Sequence, residues 1–292
     1  MDALRTAAPF LSQFRGQAFV VKLGGEVLEA PAALRNVAEQ LALLWHLGMR
    51  LVVVHGGGTA IDEFSQKLGV RVKKFAGRRV TSDEALDVVK MTLAGQTHVD
   101  LLAALRGVGL PVVGLTGLDA GLLTAHKRPP VEIEEDGEKR EVDFGWVGDV
   151  DSVNVDLLKH QLDGGYLPVV APLSGNSEGH VFNTNADTAA AEIAAAMKAE
   201  KLIFVLSVPG VLRDVENPSS VVPFLKLSEV EALIHDGTVS KGMLPKLAAT
   251  RKAIERGVHS VHLISGLAPD ALLTEVFTNE GSGTMIRQED SA

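Results

Sequence analysis

The chain contains no cysteine, which excludes disulfide frameworks, thiolate nucleophiles and cysteine-held zinc or iron–sulfur centres and suits a reducing compartment. It also lacks any run of about 18 uncharged apolar residues, the length that a membrane-spanning helix requires. The N-terminal segment MDALRTAAPFLSQFRGQAF carries Asp2 and has neither the apolar core nor the cleavage site of a secretory signal, so a cytoplasmic protein with no membrane partner is expected. Positive charge is in deficit. Lys and Arg number 28 against 37 Asp and Glu, a net charge of −9, and a field of that sign repels nucleic acid while leaving room for a local basic cleft. Several catalytic signatures are missing too. No G-x-x-x-x-G-K-[ST] phosphate loop, H-E-x-x-H pair or G-x-S-x-G elbow occurs, and no protein-held metal is expected. Gly56-Gly-Gly-Thr-Ala-Ile61 has isoleucine where a dinucleotide fingerprint needs its third glycine.

What remains is a chain of 292 residues, 46% hydrophobic with a mean hydropathy of +0.17. That is long enough for one large α/β unit or two lobes around a substantial core. Residues 1–15 have apolar positions at helical spacing. A β-branched run at 18–23 ends in Gly24-Gly25, a helix fits Leu34, Val37, Leu41 and Leu44, and a second run at 51–54 ends in His55-Gly-Gly-Gly58. Helices are then predicted at 60–68, 83–107, 152–163, 187–198, 228–235 and 245–256, and strands at 111–115, 167–171, 202–206 and 260–264. Asp136-Gly137 suggests a hairpin turn within 131–142. This alternation predicts a parallel sheet with right-handed crossovers, and the Ser/Gly/Asn stretch 174–179 suggests a lobe boundary near residue 180.

Two glycine loops after two buried strands point backbone amides and helix N-termini at one place, a geometry suited to phosphate or carboxylate. Structural turns alone would also account for the glycines. Lys22, inside an apolar strand two residues before a glycine pair, is either a cation placed beside that loop or a snorkelling edge-strand lysine. Lys246 lies just inside a helix that Pro245 can start, and Asp187 begins an alanine-rich helix, where a carboxylate also serves as a cap. Arg79 stands before Thr81-Ser-Asp-Glu84, spaced as a capping box, and an arginine can grip a carboxylate bidentately.

Taken in order, VVKLGGEVL (20–28), VVVHGGG (52–58), GRRVTSDE (77–84), VGLTGLDAGLL (113–123), GYLPVVAP (165–172), FNTNADTAA (182–190), GMLPKL (242–247), VHLISG (261–266) and LLTEVFTNEGSGT (272–284) closely resemble the amino acid kinase family, over essentially the whole chain. The nearest likeness is to its members acting on N-acetyl-L-glutamate. The resemblance implies an α/β three-layer sandwich with one central mostly parallel sheet spanning two lobes. Residues 16–180 would bind the amino acid and 181–292 the nucleotide, with 1–15 as a helical extension. It implies transfer of the γ-phosphoryl group of ATP, carried with Mg2+, to the side-chain carboxylate of N-acetyl-L-glutamate, a step of arginine biosynthesis.

By the same resemblance Lys22 meets the transferring phosphoryl group, Lys246 serves the nucleotide side and Asp187 organises both. Gly24 and Gly25 cradle phosphate; Gly57, Gly58, Arg79 and Asn183 hold acetylglutamate; Ser207, Gly210, Gly242 and Met243 fall in the nucleotide loops. His262, Glu275 and Gly281 match an arginine effector site, and the N-terminal helix matches one that joins dimers into a hexamer, so a homodimer or a trimer of dimers is expected. Phe10, Thr59, Leu118, Ser207 and Leu267 depart from the family pattern. Thr59, Leu118 and Ser207 leave room for altered nucleotide affinity or for a kinase of carrier-protein-bound α-aminoadipate, and Phe10 and Leu267 bear on the arginine site; a catalytically silent arginine sensor is a separate alternative, which would have lost one of the two lysines present here. An acetyltransferase on the same lobe would need a further acyl-CoA-binding domain after residue 292.

Overall fold

Strands without polar alternation belong where both faces are covered, and the apolar runs of this sequence do form the middle of one large sheet. The computed structural model describes residues 2–75, 77–135, 138–214, 216–235 and 242–288. Helix α1 (Asp2–Phe14) precedes β1 (Ala18–Leu23), the single turn α2 (Gly25–Leu28), α3 (Pro31–His46), β2 (Arg50–His55) and α4 (Gly58–Lys67). A two-residue pair, β3 (Lys74–Phe75) and β4 (Arg78–Arg79), leads to α5 (Asp83–Lys90), a π-turn at Met91–Gln96, α6 (Thr97–Gly107), β5 (Val112–Thr116) and β6 (Leu123–Lys127). Next come β7 (Val131–Glu135), β8 (Glu138–Val142), β9 (Gly148–Val153), α7 (Val155–Asp163), β10 (Leu167–Ala171), β11 (Leu173–Gly175) and β12 (Val181–Asn183). The chain continues through α8 (Ala186–Met197), β13 (Lys201–Leu206), β14 (Phe224–Lys226), α9 (Leu227–His235), α10 (Leu244–Glu255), β15 (Ser260–Ser265), α11 (Ala271–Phe277) and β16 (Thr284–Arg287).

The central sheet runs β14-β16-β15-β13-β1-β2-β10-β5, parallel at every pairing except β15 with β16. Strand β1 pairs with β2 on one side and β13 on the other, so one sheet carries both halves of the chain. Its two faces bury different residues. Val20, Val52, Val54, Leu202 and Phe204 pack beneath α7, α8 and α10, while Phe19, Val21, Leu51, Val53, Ile203 and Val205 pack beneath α1, α3, α6 and α11. The result is the predicted three layers.

Several local expectations are corrected. The cap of α5 is Ser82, whose side chain accepts from Ala85 N at 3.3 Å, and not a Thr81–Glu84 box. Thr81 is instead buried in a bridge to Gly145. The helix expected over 83–107 is broken by the π-turn, where Gly95 leaves helical geometry. A second sheet, β12-β11-β6-β9, has no counterpart among the expected elements, and β9 takes the residues expected at the start of α7. Strands β7 and β8 form the expected hairpin, whose turn Asp136-Gly137 lies outside the described residues. The polar stretch 174–179 covers the end of β11 and the tight connection to antiparallel β12.

Candidate functional site

The carboxyl ends of β1, β2 and β13 meet the N-termini of α2, α4 and α8, the crevice where parallel sheets bind ligands. Lys22 points to the α8 side of β1, on the same face as Val20. The strand is central, which removes the edge-strand reading, and the lysine is only 6% exposed. Its Nζ lies 2.7 Å from Asp187 Oδ1, while Lys246 Nζ, carried in by α10, lies 3.4 Å from Asp187 Oδ2 and donates to the Gly242 carbonyl at 3.2 Å. Asp187 does not cap α8. Asn185 performs that role, accepting from the amides of Asp187 and Thr188, and the Asp187 carboxylate is left to the two lysines. Burial alone would raise the Asp187 pKa, but the charges and hydrogen bonds of Lys22 and Lys246 outweigh it and hold the group ionised below the usual range.

The two glycine loops abut. A Cβ on Gly25 would stand 3.6 Å from Gly58 N, and one on Gly56 would stand 3.7 Å from Lys22 Nζ. Gly24 donates to Val205 O at 2.9 Å, which ties the first loop to β13. On the β2 side, Arg79 donates through Nη2 to the Gly58 carbonyl at 3.1 Å and to Asp62 Oδ1, while Asp62 Oδ2 accepts from Lys74 Nζ at 2.7 Å. The Nε of Arg79 is buried without a partner, an unused donor that an anionic ligand would satisfy. Asn183 closes this flank, its Nδ2 donating to Thr81 Oγ1 at 3.1 Å and its backbone N–H to the Trp146 carbonyl. Gly57, Gly58, Arg79 and Asn183 therefore border one side of the Lys22 loop.

On the other side, Ser207 follows the end of β13, and Gly210 sits where its φ of +152° and a Cβ position 2.5 Å from Thr284 Oγ1 admit only glycine. Met243 is the buried cap residue of α10, next to the Gly242 carbonyl that Lys246 reaches. Thr59, a departure from the family pattern, hydrogen-bonds Glu29, which also accepts from the Ala60 amide. Burial and the neighbouring Glu63 and Glu26 nevertheless raise the Glu29 pKa.

The effector candidates also come together, two strands from β1 and on the sheet face opposite Lys22. His262 Nδ1 lies 2.6 Å from Glu275 Oε1, and Glu275 Oε2 accepts from Ser282 N and Gly283 N. Gly281 has φ +68°, and its Cβ position would stand 2.8 Å from Glu275 Oε2. Sequence reasoning missed Lys201, whose Nζ lies 3.0 Å from His262 Nε2 and 5.0 Å above the Phe14 ring of α1. It also missed Asp62 and the His55–His98 pair. Asp62 stands one turn into α4 and could have been noticed as the only acid of the motif HGGGTAID. The histidines lie 43 residues apart and left no local signal.

The model of the amino acid kinase family matches residues 17–265. An acetylglutamate kinase of Myxococcus xanthus is 52% identical over 292 residues, covering 99% of this chain and 95% of that protein. One of Methanocaldococcus jannaschii is 41% identical over 288 residues, covering 99% and 96%. Among solved structures, N-acetylglutamate synthase of Neisseria gonorrhoeae, complexed with coenzyme A and N-acetyl-glutamate, superposes with a TM-score of 0.84 at 30% identity over 99% of this chain. The chain spans 64% of that synthase's length. Carbamate kinase of Giardia lamblia, bound to AMP-PNP, shares the fold at a TM-score of 0.67 and 16% identity, covering 94% of this chain and 99% of that one.

Proposed function

Because the chain belongs to the amino acid kinase family, we propose that it transfers the γ-phosphoryl group of ATP to the side-chain carboxylate of N-acetyl-L-glutamate, giving N-acetylglutamyl 5-phosphate and ADP in arginine biosynthesis. The observation that carries the reading is the pair of lysines on one buried aspartate, set against two abutting glycine loops. The acceptor carboxylate, with a reference pKa of about 4.3, is ionised at neutral pH and needs no base. One carboxylate oxygen bonds to the γ-phosphorus as the bond from that phosphorus to the β-γ bridging oxygen breaks, so the electron pair leaves with ADP and no proton moves.

The obstacle is repulsion between anions. Lys22 and Lys246 neutralise charge on the transferring group, the amides of Gly24 and Gly25 receive its oxygens, and Asp187 aims both ammonium groups. Gly57, Gly58, Arg79 and Asn183 hold acetylglutamate in line, with the unpartnered Arg79 Nε as support for a carboxylate there. Ser207, Gly210, Gly242 and Met243 border the nucleotide. Both Asp187 oxygens face lysines, so Mg2+ would enter on the phosphates and supply further neutralising charge there. Residues 16–180 form the amino-acid lobe and 181–292 the nucleotide lobe. No helix among the described residues is long and apolar enough to cross a membrane.

Arginine is the proposed feedback effector, held near His262, Glu275 and Gly281, with α1 joining dimers into a hexamer. The support is the contact chain from Phe14 of α1 through Lys201 to His262. Trapping the acyl phosphate with hydroxylamine tests the activity with N-acetylglutamate, free glutamate and carrier-bound α-aminoadipate side by side. Turnover confined to N-acetylglutamate, falling as arginine is titrated in, is the expected result. Turnover confined to the carrier substrate would overturn the substrate assignment, and none would leave the silent sensor.

A further inference from the structure

The glycine loop after β2 is held from beneath by two buried histidines that the phosphoryl transfer does not use. His55, the last residue of β2, is fully buried, and His98, in the first turn of α6, nearly so. His55 Nδ1 lies 2.9 Å from the Gly56 carbonyl oxygen, and His55 Nε2 lies 2.9 Å from His98 Nδ1. A carbonyl oxygen only accepts, so while this contact is made the His55 proton sits on Nδ1, and the partner that meets Nε2 decides how completely it stays there. Burial pushes the His55 pKa down to about 4, with the charge of Lys22 adding to it, and the ring is neutral. Its Nε2 is then an acceptor, and His98 must donate from Nδ1.

This pair has a directional effect on the loop. In a trans peptide the carbonyl and the following N–H point opposite ways. A Gly56 carbonyl pinned toward the His55 ring therefore turns the Gly57 N–H away from that ring. The kink at Gly95 before α6 leaves two more residues against the same glycine: a Cβ on Gly57 would come within 2.7 Å of Leu93 and 3.6 Å of Thr97. On its other side His98 lies against Gly114 of β5, where no Cβ fits.

We propose that His98 is a positioning residue for the substrate loop, fixing His55 in its Nδ1–H tautomer and through it the orientation of the Gly56–Gly57 peptide that faces acetylglutamate. The proposal rests on the assignment of Gly57 and Gly58 to that substrate. Two variants test it. His98→Leu removes the donor, whereas His98→Asn keeps one, since an asparagine Nδ2 reaches about where the histidine Nδ1 stood. His98→Leu raises KM for acetylglutamate about tenfold, the scale of one lost buried hydrogen bond, with KM for ATP and kcat changed less than threefold. His98→Asn returns KM to within about threefold of the parent.

Long-range 1H–15N spectra of the imidazoles read the tautomer in the unliganded protein, independently of which substrate is phosphorylated. His55 as Nδ1–H in the parent and in His98→Asn, and as a mixture in His98→Leu, is the expected pattern. A His55 Nε2–H tautomer in the parent, an unchanged KM in His98→Leu, or a folded His98→Asn no better than His98→Leu would each overturn the proposal. Absence of acetylglutamate turnover in the parent with the expected spectra would instead fault the substrate assignment.

Discussion

The Asp187 carboxylate meets two ammonium groups unequally, Lys22 at 2.7 Å with a 7% exposed side chain and Lys246 at 3.4 Å with a 22% exposed one. Removing such charges from water costs about as much as their attraction returns, so the triangle is better understood as a device for aiming charge than as a source of stability. Lys22→Ala or Lys246→Ala is expected to lower kcat on the order of 10²–10³-fold while urea unfolding stays two-state. Near-parent turnover in either variant would end the two-lysine mechanism. Asp62 acts one step removed, through Arg79. Burial would raise its pKa, but hydrogen bonds from Lys74 and Arg79, with their charges, outweigh it and keep it ionised at neutral pH. Asp62→Asn weakens the grip on Arg79 and is expected to raise KM for acetylglutamate roughly fivefold, the scale of a part-exposed charged hydrogen bond, with kcat nearly unchanged. Steady-state kinetics distinguish this from a general loss, in which kcat would fall by as much as KM rises.

Among the elements, the buried runs were legible because a parallel strand covered on both faces must be apolar throughout, as 18–23, 167–171 and 201–206 largely are. The glycines that end β1 and β2 marked the site for the same local reason. Polar strands were not legible. In β9 and β6 only some residues are buried, and their pairing is fixed by partners up to 30 residues away, so Gly148–Val153 carries no periodic signal of its own. The caps of α5 and α8 went to a nearby residue, Ser82 for Thr81 and Asn185 for Asp187, because tertiary contacts had claimed the expected one. The loop after β13 offers a prediction at this scale. Gly210→Ala places a Cβ against Thr284 Oγ1 and at a φ that side chains rarely adopt, which is expected to cost about 1–3 kcal/mol of stability and to raise KM for ATP more than for acetylglutamate. Adding Thr284→Ala relieves the crowding but not the backbone, so urea midpoints should recover only in part; full recovery would show that crowding alone excludes a side chain there.

Across the whole molecule, three neutral histidines are buried among the described residues, His55 and His98 under the substrate loop and His262 on the opposite sheet face in the network reaching α1. Burial lowers the pKa of all three, to about 4 for His55 and for His262. Unfolded, each would take up a proton near its ordinary value of about 6.5, so between that pH and about 4 the unfolded chain binds more protons than the fold. Their contribution is fully present above pH 6.5 and is lost as the pH falls toward 4, on the order of 3 kcal/mol for each fully buried ring. Below that range the depressed carboxylates of Asp187, Asp62 and Glu275 begin to protonate, and loss continues in the same direction. Urea midpoints measured at fixed protein concentration should therefore fall steeply from pH 6.5 to 4.5, where ordinary aspartates and glutamates alone would leave them nearly level. His262→Gln, outside the catalytic crevice, should remove close to half of the part set by the two strongly shifted rings, and a flat profile in the parent chain would mean that these histidines are already charged in the fold.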